Sequence, residues 1–425
     1  MTKRSADIEK NKRIADSFRA TKLRRLEQVC RVFRVKVQDN KLNREQREFL
    51  KMVFVEGKWL YNHVLSMTKN EGAELSKINY ADITEVNHFD KDKNLIVSKL
   101  NWVTSQMRQS LIGGIVSSVK TLEKLKKRGK AVGELKFISG YNSIELKQYG
   151  ATHKIVGDHL VKIQGLRKPL RVNGLKQILS LKDYEIANAK LLNTVDGYFI
   201  AFTVYTPKEK ERTAAKREIG IDFGCETTLT LSDGTKMNCM VEETDHMKRL
   251  KRKASRQVKG SNNYRKTWLR INRLSARLLR KKEDAAAKIS HELLKNKVVM
   301  QDEQLRAWSR RHGRKIQYGI LGRIKVRLMR NEDTVVLSRW IPTTRFCEKC
   351  GTKHKMGLGD REFICECGNH QDRDVHAANN MLWFYHNIVG VERTEYRLSA
   401  FRDRLTEYFG HPVQEYKKEA AKSSA

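Results

Sequence analysis

The sequence predicts a chain of mixed class in three parts: an α-helical lobe, a β-barrel, and an α/β domain interrupted by a small cysteine-rich module. Three observations carry this expectation. Apolar residues recur at helical steps through residue 119 and then alternate in short runs from residue 144 to 205, the periods of helix and strand. Beyond residue 218, short apolar runs end in acids and flank a long basic helical stretch. Four of the seven cysteines then fall between Cys347 and Cys367.

Residues 1–30 are basic and weakly patterned, an arm expected to be flexible or ordered by nucleic acid. Residues 31–41 hold a first strand, because Val32-Phe33-Arg34-Val35-Lys36-Val37 alternates apolar and basic. Asn43 and Gln46 form a capping box that opens a helix carrying Phe49, Val53, Trp59, Leu60 and Val64. A second helix places Val103, Met107, Leu111, Ile115 and Val119 on one face and ends in the basic run Lys124 to Lys130. Residues 42–130 are therefore the helical lobe, with its aromatics assigned to core packing. Residues 131–214 read as short strands at 144–146, 161–163 and 170–172. A hairpin of 190–195 with 198–205 follows, turning at Asp196-Gly197. The strand near residue 35 is expected to complete this sheet, which makes the helical lobe an insertion into a barrel.

Residues 215–346 begin with Ile219-Gly220-Ile221-Asp222-Phe223-Gly224, a buried strand interrupted by a carboxylate. The chain continues through 227–231, turns at Asp233-Gly234 and returns through Met237. Lys248 to Leu294 is helical and broken near Gly260 to Asn263. Lys297 to Glu303 is an apolar run ending in acids, and Val335 to Leu337 is a third strand. Residues 347–367 hold the cysteines, 368–385 return to the α/β domain, and 386–425 form a basic tail to which no role is assigned.

The cysteines favour a metal over disulfides. The opening MTKRSADIEKNKRIADSFRATKLRRL has no apolar core of a secretory signal, and no stretch approaches the ~18 apolar residues of a membrane span. The expected compartment is the prokaryotic cytoplasm, at the nucleoid when DNA is bound, where thiols stay reduced. Cys347 with Cys350 and Cys365 with Cys367 can supply four thiolates to a structural zinc. The second pair is C-x-C where C-x2-C is commoner, and His354 or His370 could replace a cysteine. Cys30, Cys225 and Cys239 are expected to be buried small hydrophobes.

Lys and Arg number 86 against 49 acids, a formal charge of +37 spread along the chain. Such a charge disfavours compaction unless a polyanion offsets it. With no amphipathic anchor or lipidation motif, nucleic acid rather than a membrane is the expected partner. The run Lys248, Arg249, Lys251, Arg252, Lys253 and Arg256 would suit phosphate contacts. Trp308 and Trp340 are expected in the core.

Three segments end in carboxylates: the strand with Asp222, the strand that leads to Glu303, and the helix start at Asp374. Convergence of such acids is the requirement of a ribonuclease H-like nuclease, in which oxygen ligands hold two divalent cations, here Mg2+. GIDFG, the QDE segment, CEKCG with CECG, and DRDVHAANNML together resemble TnpB, the nuclease encoded by IS200/IS605-type transposons, and equally the miniature type V CRISPR effectors. The likeness is specific in the last two hundred residues or so and architectural before residue 215.

The resemblance implies a RuvC nuclease domain with an inserted zinc ribbon, a wedge-like β-barrel and a helical recognition lobe. It implies binding of a guide RNA, recognition of a short flanking motif in double-stranded DNA, opening of the duplex to single strands, and cleavage at one metal-dependent site. Oligomeric state, monomer or homodimer, stays open. By that match Asp222 and Asp374 are the first and third acids, and Asp372 caps the helix or meets a basic side chain. The family's middle Glu aligns with Gln301. Glu303, two positions on and therefore on the same strand face, is the expected ligand, with Asp302 the second choice. His376 stands where the family often has Asn, with a place on the helix surface or backbone hydrogen bonding its expected role. Two further readings are a nuclease-inactive RNA-guided DNA binder and an RNA-independent zinc-ribbon protein acting as a DNA binder or transposase.

Overall fold

The computed structural model describes residues 3–70, 78, 82–90, 92–208, 217–357 and 359–389. The chain divides into two compact units, Met1–Glu211 and Arg212–Ala425. The expected tail beyond residue 389, and the chain between 209 and 216, lie outside the described residues.

The first unit opens with helix α1 (Lys3–Leu26). The arm expected to be flexible or ordered by nucleic acid is thus helical: the stretch is rich in good helix formers, and Arg13 meets Glu9 one turn away at 2.6 Å. Strand β1 (Gln28–Val37) leads to α2 (Arg44–Asn70). The capping box closes reciprocally, with Gln46 N donating to Asn43 Oδ1 at 2.8 Å and Asn43 N to Gln46 Oε1 at 3.0 Å. A hairpin that periodicity did not announce, β2 (Glu85–Phe89) and β3 (Leu95–Lys99), precedes α3 (Ser105–Lys127). The remaining elements are β4 (Ser143–Leu146), β5 (His153–Gly157), β6 (Leu160–Ile163), β7 (Leu170–Asn173), the single turn α4 (Lys176–Leu179), β8 (Glu185–Thr194) and β9 (Gly197–Pro207).

Seven of these strands form one nearly closed antiparallel sheet in the order β4-β8-β9-β1-β7-β6-β5. β1 lies between β9 and β7, so the strand near residue 35 does complete the sheet. The β8–β9 turn at Asp196-Gly197 needs a residue at φ +107, which only glycine adopts without strain. One apolar core joins the two parts of this unit: Phe49, Val53 and Leu60 of α2 and Met107 and Leu111 of α3 pack with Val35, Phe202 and Leu191 of the sheet.

The second unit is built on a five-stranded sheet, ordered β12-β11-β10-β13-β14. Its strands are β10 (Glu218–Phe223), β11 (Leu229–Leu231), β12 (Lys236–Met237), β13 (Lys297–Gln301) and β14 (Val335–Leu337). The first three run antiparallel, and β13 and β14 lie parallel to β10. Between β12 and β13 come α5 (Asp245–Ser255) and α6 (Asn262–Leu293), each capped by a hydroxyl, Thr244 and Ser261. Between β13 and β14 come α7 (Leu305–Tyr318) and α8 (Leu321–Leu328). The cysteine module carries the short hairpin β15 (Glu362–Ile364) and β16 (His370–Asp372), and runs without a break into α9 (Arg373–Phe384).

Alternation along the strands sorts the two faces. Ile219, Ile221, Phe223, Val298 and Met300 pack with Ala286 and Leu293 of α6 and Ile324 and Leu328 of α8. On the other face Val299 and Leu337 pack with Met381 and Phe384 of α9. Gly220 shares that second face with Asp222, and α9 presses directly upon it: a Cβ on Gly220 would lie 2.0 Å from the carbonyl oxygen of Ala378. The missing side chain is what lets the helix approach. Among the described residues no helix is long and apolar enough to cross a membrane.

Candidate nuclease site and metal knuckle

The contact of Gly220 with Ala378 fixes where two acids meet. Asp222 is two residues along β10, hence on the same face as Gly220, and Asp374 is one helical turn before Ala378 in the first turn of α9. Burial pushes the Asp222 carboxyl well above the usual carboxylate range, and the negative charges of Asp374 and Glu303 push it further, with Arg373 opposing. Glu303 is raised as well, first by burial, while Lys325 and Arg339 pull it down. The structure thus brings Asp222, Glu303 and Asp374 into one electrostatic cluster. Arg373 sits on Asp374 Oδ1 at 3.1 Å.

The acids beyond β13 are arranged differently from strand alternation. The strand ends at Gln301, and a tight turn follows in which Glu303 N donates to Gln301 O at 2.9 Å. The expectation that Glu303 projects from a continued strand face is therefore corrected: the turn, not the pleat, carries it to the cluster. Gln301 is buried and engaged elsewhere. Its amide donates to Ser338 O (2.9 Å) and Ile341 O (2.7 Å) and accepts from Thr343 Oγ1 (3.2 Å). Asp302 bridges Lys325 (2.7 Å) and Arg339 (2.8 Å), and those cations hold its carboxyl low. Asp372 both caps α9, accepting from Asp374 N and Val375 N at 3.1 Å, and meets Lys236 at 2.7 Å.

The four cysteines converge. The Sγ atoms of Cys347, Cys350, Cys365 and Cys367 all lie within 4.8 Å of one another, and among the described residues this is the one such group of metal-type donors. Four thiols at that spacing fit a tetrahedral structural zinc, and the short C-x-C closes on it. Asn369 donates to Cys347 Sγ at 3.4 Å, and His354 Nε2 lies 3.2 Å from Cys365 Sγ, beside the set rather than in it. His370 pairs with Glu362 at 3.0 Å, away from the thiols. Burial pushes Cys365 up to about 12. For Cys350, burial is outweighed by hydrogen bonding to Thr352, which brings the thiol to about 7.

His376 couples the knuckle to α9. Its ring is buried, stacks on Phe363 with centroids 3.7 Å apart, and places Nε2 2.8 Å from Phe346 O. Asn380 donates to Thr343 O and Phe346 O, each at 2.7 Å. Burial holds the His376 imidazole below its usual range, with the Glu348 carboxylate 3.5 Å from Nδ1 opposing.

Two expectations are overturned. Trp340 is 68% exposed, because it lies on the loop after β14 and not on a strand face; Trp308 does pack against the core of the second unit. Cys30 is exposed and Cys225 half-exposed, leaving only Cys239 of the three buried. In the basic run, Lys251 is tied to the buried Glu243, and Lys248 meets Asp245 at 3.4 Å; Arg249, Arg252, Lys253 and Arg256 are exposed. Sequence reasoning did not single out Lys325, Arg339 and Arg373; Arg373 adjoins Asp374, while Lys325 and Arg339 lie 23 and 37 residues from Asp302 and carry no local signal.

Residues 201–306 match the family model OrfB_IS605, described as "Probable transposase", and residues 327–381 match the Cas12f1-like TNB domain. A protein of Streptomyces pristinaespiralis described as "Putative RNA-guided DNA endonuclease" is 31% identical over 182 residues, which is 40% of this chain. The match spans 45% of that relative's length. The likeness to TnpB and the miniature type V effectors is thus shown. Among solved structures, the cryo-EM structure of the Cas12f1-sgRNA-target DNA complex aligns with TM-score 0.48 and 13% identity over 84% of this chain and 99% of that one. The mini-RNA-guided endonuclease CRISPR-Cas_phi3 aligns with TM-score 0.40 and 10% identity over 84% of this chain and 92% of its own.

Proposed function

We propose that the chain is an RNA-guided DNA endonuclease whose second unit is a ribonuclease H-like, RuvC-type nuclease domain. The observation that carries this reading is that Asp374 and Glu303 stand close enough to Asp222 to raise its proton affinity, at a sheet ordered β12-β11-β10-β13-β14 in which β13 and β14 are parallel to β10. A carboxylate whose proton affinity is raised by burial and by two neighbouring acids has no structural benefit by itself. Their donor set of hard oxygens fits Mg2+. Two such cations would activate water and stabilise the leaving oxygen of a phosphodiester.

This chain's own residues supply the placement. Gly220 admits α9, so that Asp374 stands beside Asp222, and the turn after Gln301 adds Glu303. Arg373 holds Asp374, and Asp372 fixes the helix start. The cysteine module, closed on zinc, holds the strand that feeds α9 and does no chemistry. Guide RNA pairing would read the target sequence, while exposed Arg249, Arg252, Lys253 and Arg256 on and just after α5 suit contacts to the heteroduplex backbone. The barrel and helical lobe are the parts available for the flanking motif and guide.

The test is to purify the protein from its native locus, sequence the RNA that comes with it, and challenge that complex with matching duplex DNA and Mg2+. A defined RNA with guide-directed cutting supports the reading. Absence of any defined RNA favours a guide-independent zinc-ribbon protein, and target binding without cutting favours the nuclease-inactive binder.

A further inference from the structure

The loop after β14 holds an exposed indole on an immobilised backbone. Trp340 is 68% exposed, and among the described residues its ring joins no aromatic pair and no apolar cluster. Yet its backbone is pinned on both sides. Ser338 O and Ile341 O accept from Gln301, Ile341 N donates back to Ser338 O at 3.2 Å, and Trp340 N lies 3.4 Å from Ser338 Oγ. Pro342 follows, fixing φ. The preceding side chain, Arg339, is held on Asp302 at 2.8 Å, one residue from Glu303. The loop is thus tied to the segment that delivers the middle acid.

We propose that Trp340 is a stacking platform for a base of the single-stranded DNA led into the Asp222, Glu303 and Asp374 cluster. An exposed indole on a fixed backbone has only two side-chain torsions to order when it stacks a base, and any base offers the face it needs. The strongly positive chain favours a polyanion over an apolar protein surface. Stacking would register the strand while the carboxylates act on its backbone. The inference rests on the nuclease reading above.

The experiment uses the full chain carrying Asp222→Ala, so that substrate survives, with Trp340→Ala and Trp340→Phe added separately. The probe is a short single-stranded DNA carrying 2-aminopurine, titrated at raised salt to suppress phosphate-only binding. The parent should quench the probe. Trp340→Ala should lose that quenching and bind roughly 5- to 100-fold more weakly, Trp340→Phe should recover most of both, and zinc content and melting temperature should not change. Equal quenching and affinity in Trp340→Ala, or a lowered melting temperature that accounts for the loss, overturns the inference. Guide-directed cutting by the chain that retains Asp222 separates the two claims: if it cuts while Trp340→Ala binds normally, only the stacking role falls.

Discussion

The side-chain amide of Gln301 donates to the carbonyl oxygen of Ile341 at 2.7 Å. By the resemblance to TnpB, Gln301 falls where the middle acid is expected, so this bond bears on whether a metal ligand has been lost. The amide is a structural clamp, which leaves Glu303 as the proposed ligand. Gln301→Glu should therefore be harmful. A carboxylate there would face two carbonyl oxygens, stranding buried acceptors at about 1–3 kcal/mol each. The variant should melt earlier in a thermal scan and gain no affinity for Mn2+ used as a spectroscopic substitute for Mg2+. Tighter Mn2+ binding with stability unchanged would return position 301 to the ligand set.

Asp222 should make the cation-free protein pH-sensitive in a defined direction. Its folded-state proton affinity is raised, so between the ordinary carboxylate range and the raised value the folded state binds more protons than the unfolded one. Stability contributed by this group then falls as pH rises through that window. Asp222→Asn should be the more stable protein at neutral pH in chelator. The advantage should vanish below the ordinary carboxylate range and shrink when Mg2+ is added. Chemical denaturation at several pH values with and without Mg2+ measures this, and a destabilised Asp222→Asn at neutral pH would contradict it.

Gly220→Ala should displace α9. The added Cβ would meet the Ala378 carbonyl at 2.0 Å, and backbone cannot yield as a flexible side chain would. Overpacking of this kind typically costs about 1–3 kcal/mol, and the shift parts Asp374 from Asp222. Melting temperature should fall, and cleavage by the fraction that remains folded should fall further than stability alone accounts for.

Cys350→Ser should act on folding before chemistry. Loss of one of four thiolates should release zinc and expose 347–372 to limited proteolysis, with cleavage lost as a consequence. The His376 ring beneath Phe363 should become accessible at the same time, readable by its NMR titration.

Much of this architecture was legible in the chain. The capping box at Asn43 and Gln46, the Asp196-Gly197 turn, the strand at Ile219 and the cysteine set carry local signals that tertiary packing had no reason to override. The hairpin at residues 85–99 was missed although Leu95-Ile96-Val97 pairs with Phe89, His88 and Asn87, because each strand is only five residues long. The placing of Glu303 rested on strand alternation, which applies only while the strand lasts, and it ends at Gln301. Trp340 and Cys30 failed for the reason that apolar character predicts burial only statistically. The acids' meeting point was not in the sequence at all, since it depends on how closely α9 approaches Gly220.

Guide-directed cleavage by single-residue variants tests the central claim most directly. Asp222→Ala, Glu303→Ala and Asp374→Ala should each keep target binding and lose cutting in Mg2+ by more than the ~10–100-fold that a change behind a metal ligand costs. Asp302→Asn, which touches Lys325 and Arg339 instead, should retain cutting within about tenfold. An active Glu303→Ala beside a silent Asp302→Asn would contradict the assignment of the middle acid, and a wild-type protein that binds its target in Mg2+ and leaves it whole would contradict the account as a nuclease.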